Sequence, residues 1–69
     1  MPRRFWLHRH ADATGTSGVG RVADGIQWHD GTATLRWRTE RSSTAHYDSV
    51  ADIEHIHGHG GQTVVEWVD

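Results

Sequence analysis

Histidine is the residue type with the most chemical potential in this chain, which has seven of them among 69 residues. His8 and His10 are two positions apart in a β-prone segment, so both imidazoles point to one side of a strand. His55 and His59 are four positions apart, the spacing that places two side chains on one helical face. Because neutral imidazole is a common ligand of Zn²⁺, these four side chains form a candidate metal site if the strand packs near the helix end.

Three other interpretations of the histidines stay open. They form a metal-free surface set in which the helical ones suit the negative end of the helix dipole. They sense pH, since protonation of all seven moves the net charge from −2 to +5. They act as general bases oriented by nearby carboxylates, namely Asp48, Asp52 and Glu54. The chain has no cysteine, no serine in a nucleophile context and little room for a cleft, so we expect no catalytic residue and no enzyme.

Arginine is the second candidate, because all seven basic side chains other than histidine are arginines. Arg36 and Arg38 flank Trp37 in a strand-like segment, so both guanidiniums point to the polar side while the indole points to the core. With Arg21 on a neighbouring strand, they could hold the phosphates of a nucleic acid or nucleotide. The net charge of −2 argues against bulk affinity for nucleic acid.

Tryptophan supplies the contact residues of our leading hypothesis. Trp6 and Trp28 could stack a base, or they could join Arg36 in contacting a protein, since aromatic and arginine side chains dominate binding hot spots. We expect a non-enzymatic accessory module that docks on a macromolecular partner. A nucleic-acid or nucleotide binder is the first alternative, and a histidine-ligated zinc protein is the second.

Turn residues divide the chain into elements that must position these side chains. Strands are predicted at 4–10, 19–28, 32–38, 43–48 and 62–68, with a polar loop at 11–18. Ser49 is a good N-cap for one helix with a buried stripe of Val50, Ile53 and Ile56. Gly58 ends that helix, and residues 58–61 turn the chain back rather than cradle a phosphate, because they follow a helix instead of preceding one.

The segment Asp30-Gly31 predicts a hairpin with a two-residue loop. In that register Trp28, Ile26, Leu35 and Trp37 share one apolar face and form a common interior, whereas a loop of residues 29–31 would mix the faces. Gly25 is expected at a bulge or bend. The fold class is therefore mostly β, with a small curled antiparallel sheet or barrel of about five strands and one short helix before the last strand.

Composition limits size, partners and location. A chain of 69 residues forms a single small domain with a thin apolar core. The last strand is apolar on both faces, so we expect a homodimer through it. The N-terminal segment lacks the apolar core of a signal peptide, and no apolar run is long enough to span a membrane. We expect a cytoplasmic protein with no membrane contact.

Three stretches together resemble a known family: residues 6–10, residues 17–37 and residues 43–61, the last ending in His-Gly-His-Gly-Gly. They are similar to a group of short proteins encoded by actinobacteria and their phages. The resemblance covers nearly the full length and brings no activity, ligand or catalytic residue with it. It implies a small, cytoplasmic, phage-associated accessory protein that binds something.

Overall fold

The computed structural model describes residues 1–10 and 19–69, except for the side chain of His59. The predicted loop at 11–18 thus lies outside the described residues. The elements follow the predicted order, and their bounds are β1 Arg3–Arg9, β2 Gly20–Gln27, β3 Ala33–Trp37, β4 Thr44–Tyr47, α1 Val50–His57 and β5 Thr63–Trp67. Helix α1 spans only eight residues. Among the described residues, no helix has the length and the apolar character needed to cross a membrane.

The strands form one five-stranded sheet in the order β4-β3-β2-β1-β5, and all pairings are antiparallel. A mostly β fold with one helix before the last strand is therefore confirmed. Within the described ranges the sheet is open, with β4 and β5 as its edges, so the barrel alternative is wrong. The N- and C-terminal strands lie side by side, which places residues from both ends of the chain on one surface.

The hairpin between β2 and β3 has a three-residue loop, and the predicted two-residue loop is wrong. The backbone N–H of Trp28 donates to the carbonyl of Thr32 at 2.8 Å, which leaves residues 29–31 as the loop. Gly31 has a φ of 89°, the left-handed conformation that such loops need at their last position. The Asp30 carboxylate accepts hydrogen bonds from the backbone N–H and the hydroxyl of Thr32, at 3.1 and 2.6 Å, which fixes the turn.

This longer loop shifts the register by one residue and changes which side chains share a face. Gly25 pairs with Leu35 and Ile26 pairs with Thr34, so Leu35 points to the core while Ile26 points to the opposite side. The common interior of Ile26, Trp28, Leu35 and Trp37 is therefore wrong: only Leu35 and Trp37 lie on the core side. Trp28 is 40% exposed, and its indole N–H donates to the Thr34 hydroxyl, so its polar group is satisfied there.

The hydrophobic core lies between one side of the sheet and α1. We call this side of the sheet the core face and the opposite side the open face. The core consists of Phe5, Leu7, Val22, Ala23, Ala33, Leu35, Val50 and Ile53. Val22 and Ala23 are adjacent in sequence yet both buried, because the ladder between β1 and β2 has an irregularity at this point. The bulge is thus at Val22, not at Gly25 as predicted.

Gly25 has a different role, which is to make room for an aromatic ring. A Cβ at this position would overlap three carbons of the Phe5 ring. Phe5 is 1% exposed and packs edge-to-face on Trp67, with the ring centroids 5.4 Å apart. A glycine opposite an aromatic residue therefore lets β1 and β2 pair closely across the core.

The helix begins and ends largely as the sequence predicts. The Ser49 hydroxyl accepts a hydrogen bond from the Asp52 backbone N–H at 3.1 Å, so the N-cap is confirmed. Val50 and Ile53 are buried, but Ile56 is 56% exposed, so its place in the buried stripe is wrong.

Candidate functional site

The open face carries a row of polar and aromatic side chains that crosses all five strands. Consecutive pairings place Glu66, Trp6, Asp24, Arg36 and Thr44 side by side, from β5 through β1, β2 and β3 to β4. We call this set the central row. Side chains directly opposite each other on neighbouring strands lie about 4.5–5.5 Å apart at Cβ. The row therefore concentrates an indole, a guanidinium and two carboxylates on the solvent side of the sheet.

Asp24 joins two arginines in the middle of this face. The Arg21 Nε donates to one carboxylate oxygen at 2.7 Å, and the Arg38 Nε lies 3.3 Å from the other. Arg36, the neighbour of Asp24 in the central row, donates instead to the Thr44 hydroxyl at 2.9 Å. The three arginines that the sequence grouped as a phosphate site thus lie on one face, and the alternation with Trp37 predicted this for Arg36 and Arg38.

Trp6 lies beside this cluster and is covered by one of its arginines. The Arg21 guanidinium stacks over the Trp6 ring, with 4.3 Å between its central carbon and the ring centroid. A guanidinium over an indole face is a favourable cation–π contact. Trp6 is half-buried, and the Arg21 guanidinium covers one face of its ring.

Arg4 is a fourth arginine of the open face, and sequence reasoning missed it. Its Nε and Nη2 donate to the two carboxylate oxygens of Asp69 at 2.9 and 2.7 Å, and its backbone N–H also donates to this carboxylate. These contacts hold the pKa of Asp69 far below its usual value and raise that of Arg4. The alternation of side chains along a strand could have placed Arg4 on the open face, because it is two positions from Trp6 in the same strand.

A pocket of about 420 Å³ opens between these side chains. Its lining consists of Arg4, Phe5, Trp6, Arg21, Asp24, Gly25, Ile26, Arg36 and Val68. Among the described lining residues, three guanidiniums and one carboxylate give an excess of two positive charges, although the whole chain carries −2. The volume falls within the range of roughly 300–1,000 Å³ that is typical of small-molecule sites.

Trp28 lies on the same face but outside the pocket lining. Its indole N–H donates to the Thr34 hydroxyl at 2.8 Å, and that hydroxyl is 3.0 Å from Nδ1 of His46. Since the hydroxyl accepts from Trp28, it can donate its own proton to a neutral His46. The three predicted contact residues, Trp6, Trp28 and Arg36, therefore share the open face, with Trp28 at one end.

The candidate zinc ligands are only partly brought together. His8 and His10 have ring centroids 4.6 Å apart, and Nδ1 of His8 is 3.3 Å from a Glu66 carboxylate oxygen. His55 lies in α1, on the other side of the sheet, and the side chain of His59 is outside the described part. Among the side chains that the structure describes, no group of three or more histidines and carboxylates is placed to hold a metal ion.

A second cluster, which sequence reasoning also missed, lies on the core face at the end of α1. The Tyr47 hydroxyl is 2.9 Å from Nε2 of His57, and the Trp37 ring meets the same imidazole edge-to-face with centroids 4.9 Å apart. Burial raises the pKa of Tyr47. Trp37 and Tyr47 pack against the core, so this cluster joins the helix end to β3 and β4.

Comparison with known proteins adds one result to this geometry. No match is found among curated proteins or among solved structures. The phage association that the resemblance implied is confirmed by a protein-family model. That model, described as Acb5 phage protein, matches residues 2–69, and the chain belongs to this family of phage proteins.

Proposed function

We propose that the chain is a small phage-associated binding protein whose open face takes a phosphate-bearing nucleotide or a short single strand of nucleic acid. The observation that carries the proposal is a pocket whose lining includes Trp6 and three arginines, one of which, Arg21, stacks over the indole. Guanidiniums match phosphate oxygens in charge and geometry, and an indole offers a stacking surface for a base. The phosphate and the base of a nucleotide would each find a complementary group within one pocket.

Charge distribution supports this proposal over a general affinity for polyanions. The chain carries a net charge of −2, whereas the pocket lining has an excess of two positive charges. A locally positive, concave surface raises the local concentration of anions even on a protein of opposite net charge. The ligand we expect is therefore one that fits the pocket, and not a long duplex that would need a broad basic surface.

The proposal is binding without a chemical step. The pocket lining that the structure describes contains no hydroxyl, thiol or imidazole group that could act as a nucleophile or general base. Its one carboxylate, Asp24, lies between Arg21 and Arg38. We therefore expect a nucleotide to be released unchanged after incubation with the protein, which mass spectrometry of the recovered ligand would check.

The test compares Arg36→Ala with Arg41→Ala, using adenosine 5′-monophosphate and a fluorescent ten-nucleotide single strand as probes. Both variants lose one positive charge, but Arg41 lies in the turn between β3 and β4 and is not part of the pocket lining. Loss of one charge-assisted contact is expected to weaken binding about tenfold for Arg36→Ala. Equal affinities of the two variants, or no binding of either probe at millimolar concentration, would refute the proposal.

A second candidate is docking on a protein partner through the same face. It is favoured by Trp28, which is 40% exposed although its N–H is already satisfied, and by the 41% exposed Val68 at the pocket rim. Exposed aromatic residues beside an arginine are typical of binding hot spots. Capture of one specific phage or host protein by the wild type, lost in Trp28→Ala but retained in Arg41→Ala, would support this candidate.

We also propose that the chain forms a homodimer through β5. This strand is an edge of the sheet, and an edge offers unpaired backbone groups to a second copy. Light scattering at micromolar concentration would test this: twice the mass of one chain supports the dimer, and a mass of 7.8 kDa contradicts it.

A further inference from the structure

Among the described residues that line the pocket, Asp24 alone is acidic, and guanidiniums engage both of its carboxylate oxygens. Arg21 binds one oxygen through Nε at 2.7 Å, and Arg38 approaches the other at 3.3 Å. In the central row the same residue stands between Trp6 and Arg36. It therefore occupies the place among the arginines where a ligand phosphate would have to sit.

The contact with Asp24 also determines where Arg21 lies. With its Nε bonded to Asp24, the Arg21 guanidinium stacks over the Trp6 ring at 4.3 Å. This position covers one face of the indole. A group that drew Arg21 away from Asp24 would uncover that face, so phosphate binding and base stacking would be coupled through one side chain.

We propose that Asp24 is an internal anion that competes with the ligand phosphate for Arg21 and Arg38, and so determines which anions the pocket accepts. This inference rests on the proposed function of the same pocket. A carboxylate and a phosphate oxygen take the same guanidinium donors in the same geometry. The ligand must therefore replace contacts that the protein already makes with itself.

Competition of this kind selects against weakly charged ligands. A singly charged anion that replaces Asp24 gains contacts of about the strength it removes, and it leaves the carboxylate close to its own charge. A ligand with two phosphate groups, or with a phosphate group and a base that stacks on Trp6, gains more contacts than it replaces. We thus expect pyrophosphate and nucleotides to bind the wild type more tightly than inorganic phosphate.

The experiment measures the dissociation constants of pyrophosphate and inorganic phosphate for the wild type and three variants by calorimetry. Asp24→Asn removes the competing charge, and Asp24→Glu keeps it. Glu54→Gln removes the same charge from an exposed position on α1, behind the core face. Because two unit charges about 4 Å apart in water interact by roughly a factor of five in affinity, Asp24→Asn should bind both probes about fivefold more tightly. Asp24→Glu and Glu54→Gln should match the wild type.

A measurement on the wild type alone guards against misfolding of the variants. In nitrogen-15 NMR spectra, added pyrophosphate should shift the Arg21 Nε–H signal and the Trp6 indole N–H signal together, because the guanidinium leaves both Asp24 and the ring. Movement of the Arg36 signal without that of Arg21 would show that phosphate binds without displacing Asp24, and this inference would be wrong.

The outcomes separate the two proposals. If the wild type binds pyrophosphate and Asp24→Asn binds it no more tightly, Asp24 is not a competitor, while the proposed function stands. If neither the wild type nor Asp24→Asn binds any probe, both proposals fail. Tighter binding by Asp24→Asn that Asp24→Glu reverses, with Glu54→Gln unchanged, supports the inference.

Discussion

Replacing Gly25 by alanine tests the strand register on which the assignment of both sheet faces depends. A Cβ on Gly25 would overlap three carbons of the Phe5 ring, which is 1% exposed and packs against Trp67. Phe5 therefore cannot move outward without breaking its aromatic contact. We expect Gly25→Ala to destabilise the protein.

The magnitude follows from two opposing effects. Forcing an extra carbon into a packed core costs about 1–3 kcal/mol. Replacing glycine by alanine in a strand returns about 0.5–1 kcal/mol, because glycine loses more backbone freedom on folding. The net loss is about 1–2 kcal/mol of unfolding free energy. In a domain of this size that lowers Tm by roughly 5–15 °C, at about 4–8 °C per kcal/mol.

The assay is urea and thermal unfolding followed by circular dichroism, with Phe5→Leu as the matched background. Leucine lacks the distal ring carbons that the new Cβ would meet, so Gly25→Ala should cost clearly less in Phe5→Leu than in the wild type, a coupling of about 1 kcal/mol. If Gly25→Ala is as stable as the wild type, or more stable, Gly25 does not face Phe5. The two-residue loop and its opposite assignment of faces would then be favoured.

Three further changes test the helix and the contact between the chain ends. Ile53→Ala should lower the unfolding free energy by about 2–5 kcal/mol, because Ile53 is buried. Ile56→Ala should change it by less than about 0.5 kcal/mol, because Ile56 is exposed. Equal losses in urea titrations would contradict the exposure of Ile56. Ser49→Ala should cost about 1 kcal/mol by removing the N-cap, and Ser49→Asp should restore it; a melting temperature unchanged by the alanine would speak against the cap. The pKa of Asp69 is lowered in the folded state, so its contact with Arg4 stabilises the fold fully above the usual carboxyl pKa of 3.8, and this contribution declines as the pH falls from there through the lowered pKa of the folded state. Asp69→Asn should therefore lower Tm more at pH 7 than near pH 2, and an equal loss at both pH values would contradict the ion pair.

Several features could be predicted from the sequence because local chemistry determines them. The N-cap at Ser49 depends on a hydroxyl three residues from a backbone N–H, and the return to β5 depends on Gly60 and Gly61, which have φ values of 66° and 94°. The position of Arg36 opposite to Trp37 follows from the two-residue period of a strand. None of these features needs information about distant parts of the chain.

The register of the hairpin could not be predicted, because two loops that differ by one residue compete closely. The alternation of apolar residues favoured the two-residue loop, because that loop placed Ile26 and Trp28 on the same face of the sheet as Leu35. The structure instead fixes the turn with Asp30 and satisfies the Trp28 indole on Thr34. Leu35 then lies on the core face together with the aromatic ring of Phe5. The packing of Phe5 on Gly25 decides this choice, and that contact joins two strands.

The amino-acid sequence by itself determined which segments are strands, where α1 begins and that arginines alternate with apolar residues, because each depends on neighbours a few positions apart. Only the tertiary structure decided that Arg4, Trp6, Asp24 and Arg36 border one pocket. Their meeting requires the N-terminal strand to pair with β2, and β2 to pair with β3 in one particular register. A shift of one residue between β1 and β2 would turn Asp24 away from Trp6, and a shift between β2 and β3 would turn Arg36 away from Asp24, since alternate side chains point to opposite faces of a sheet.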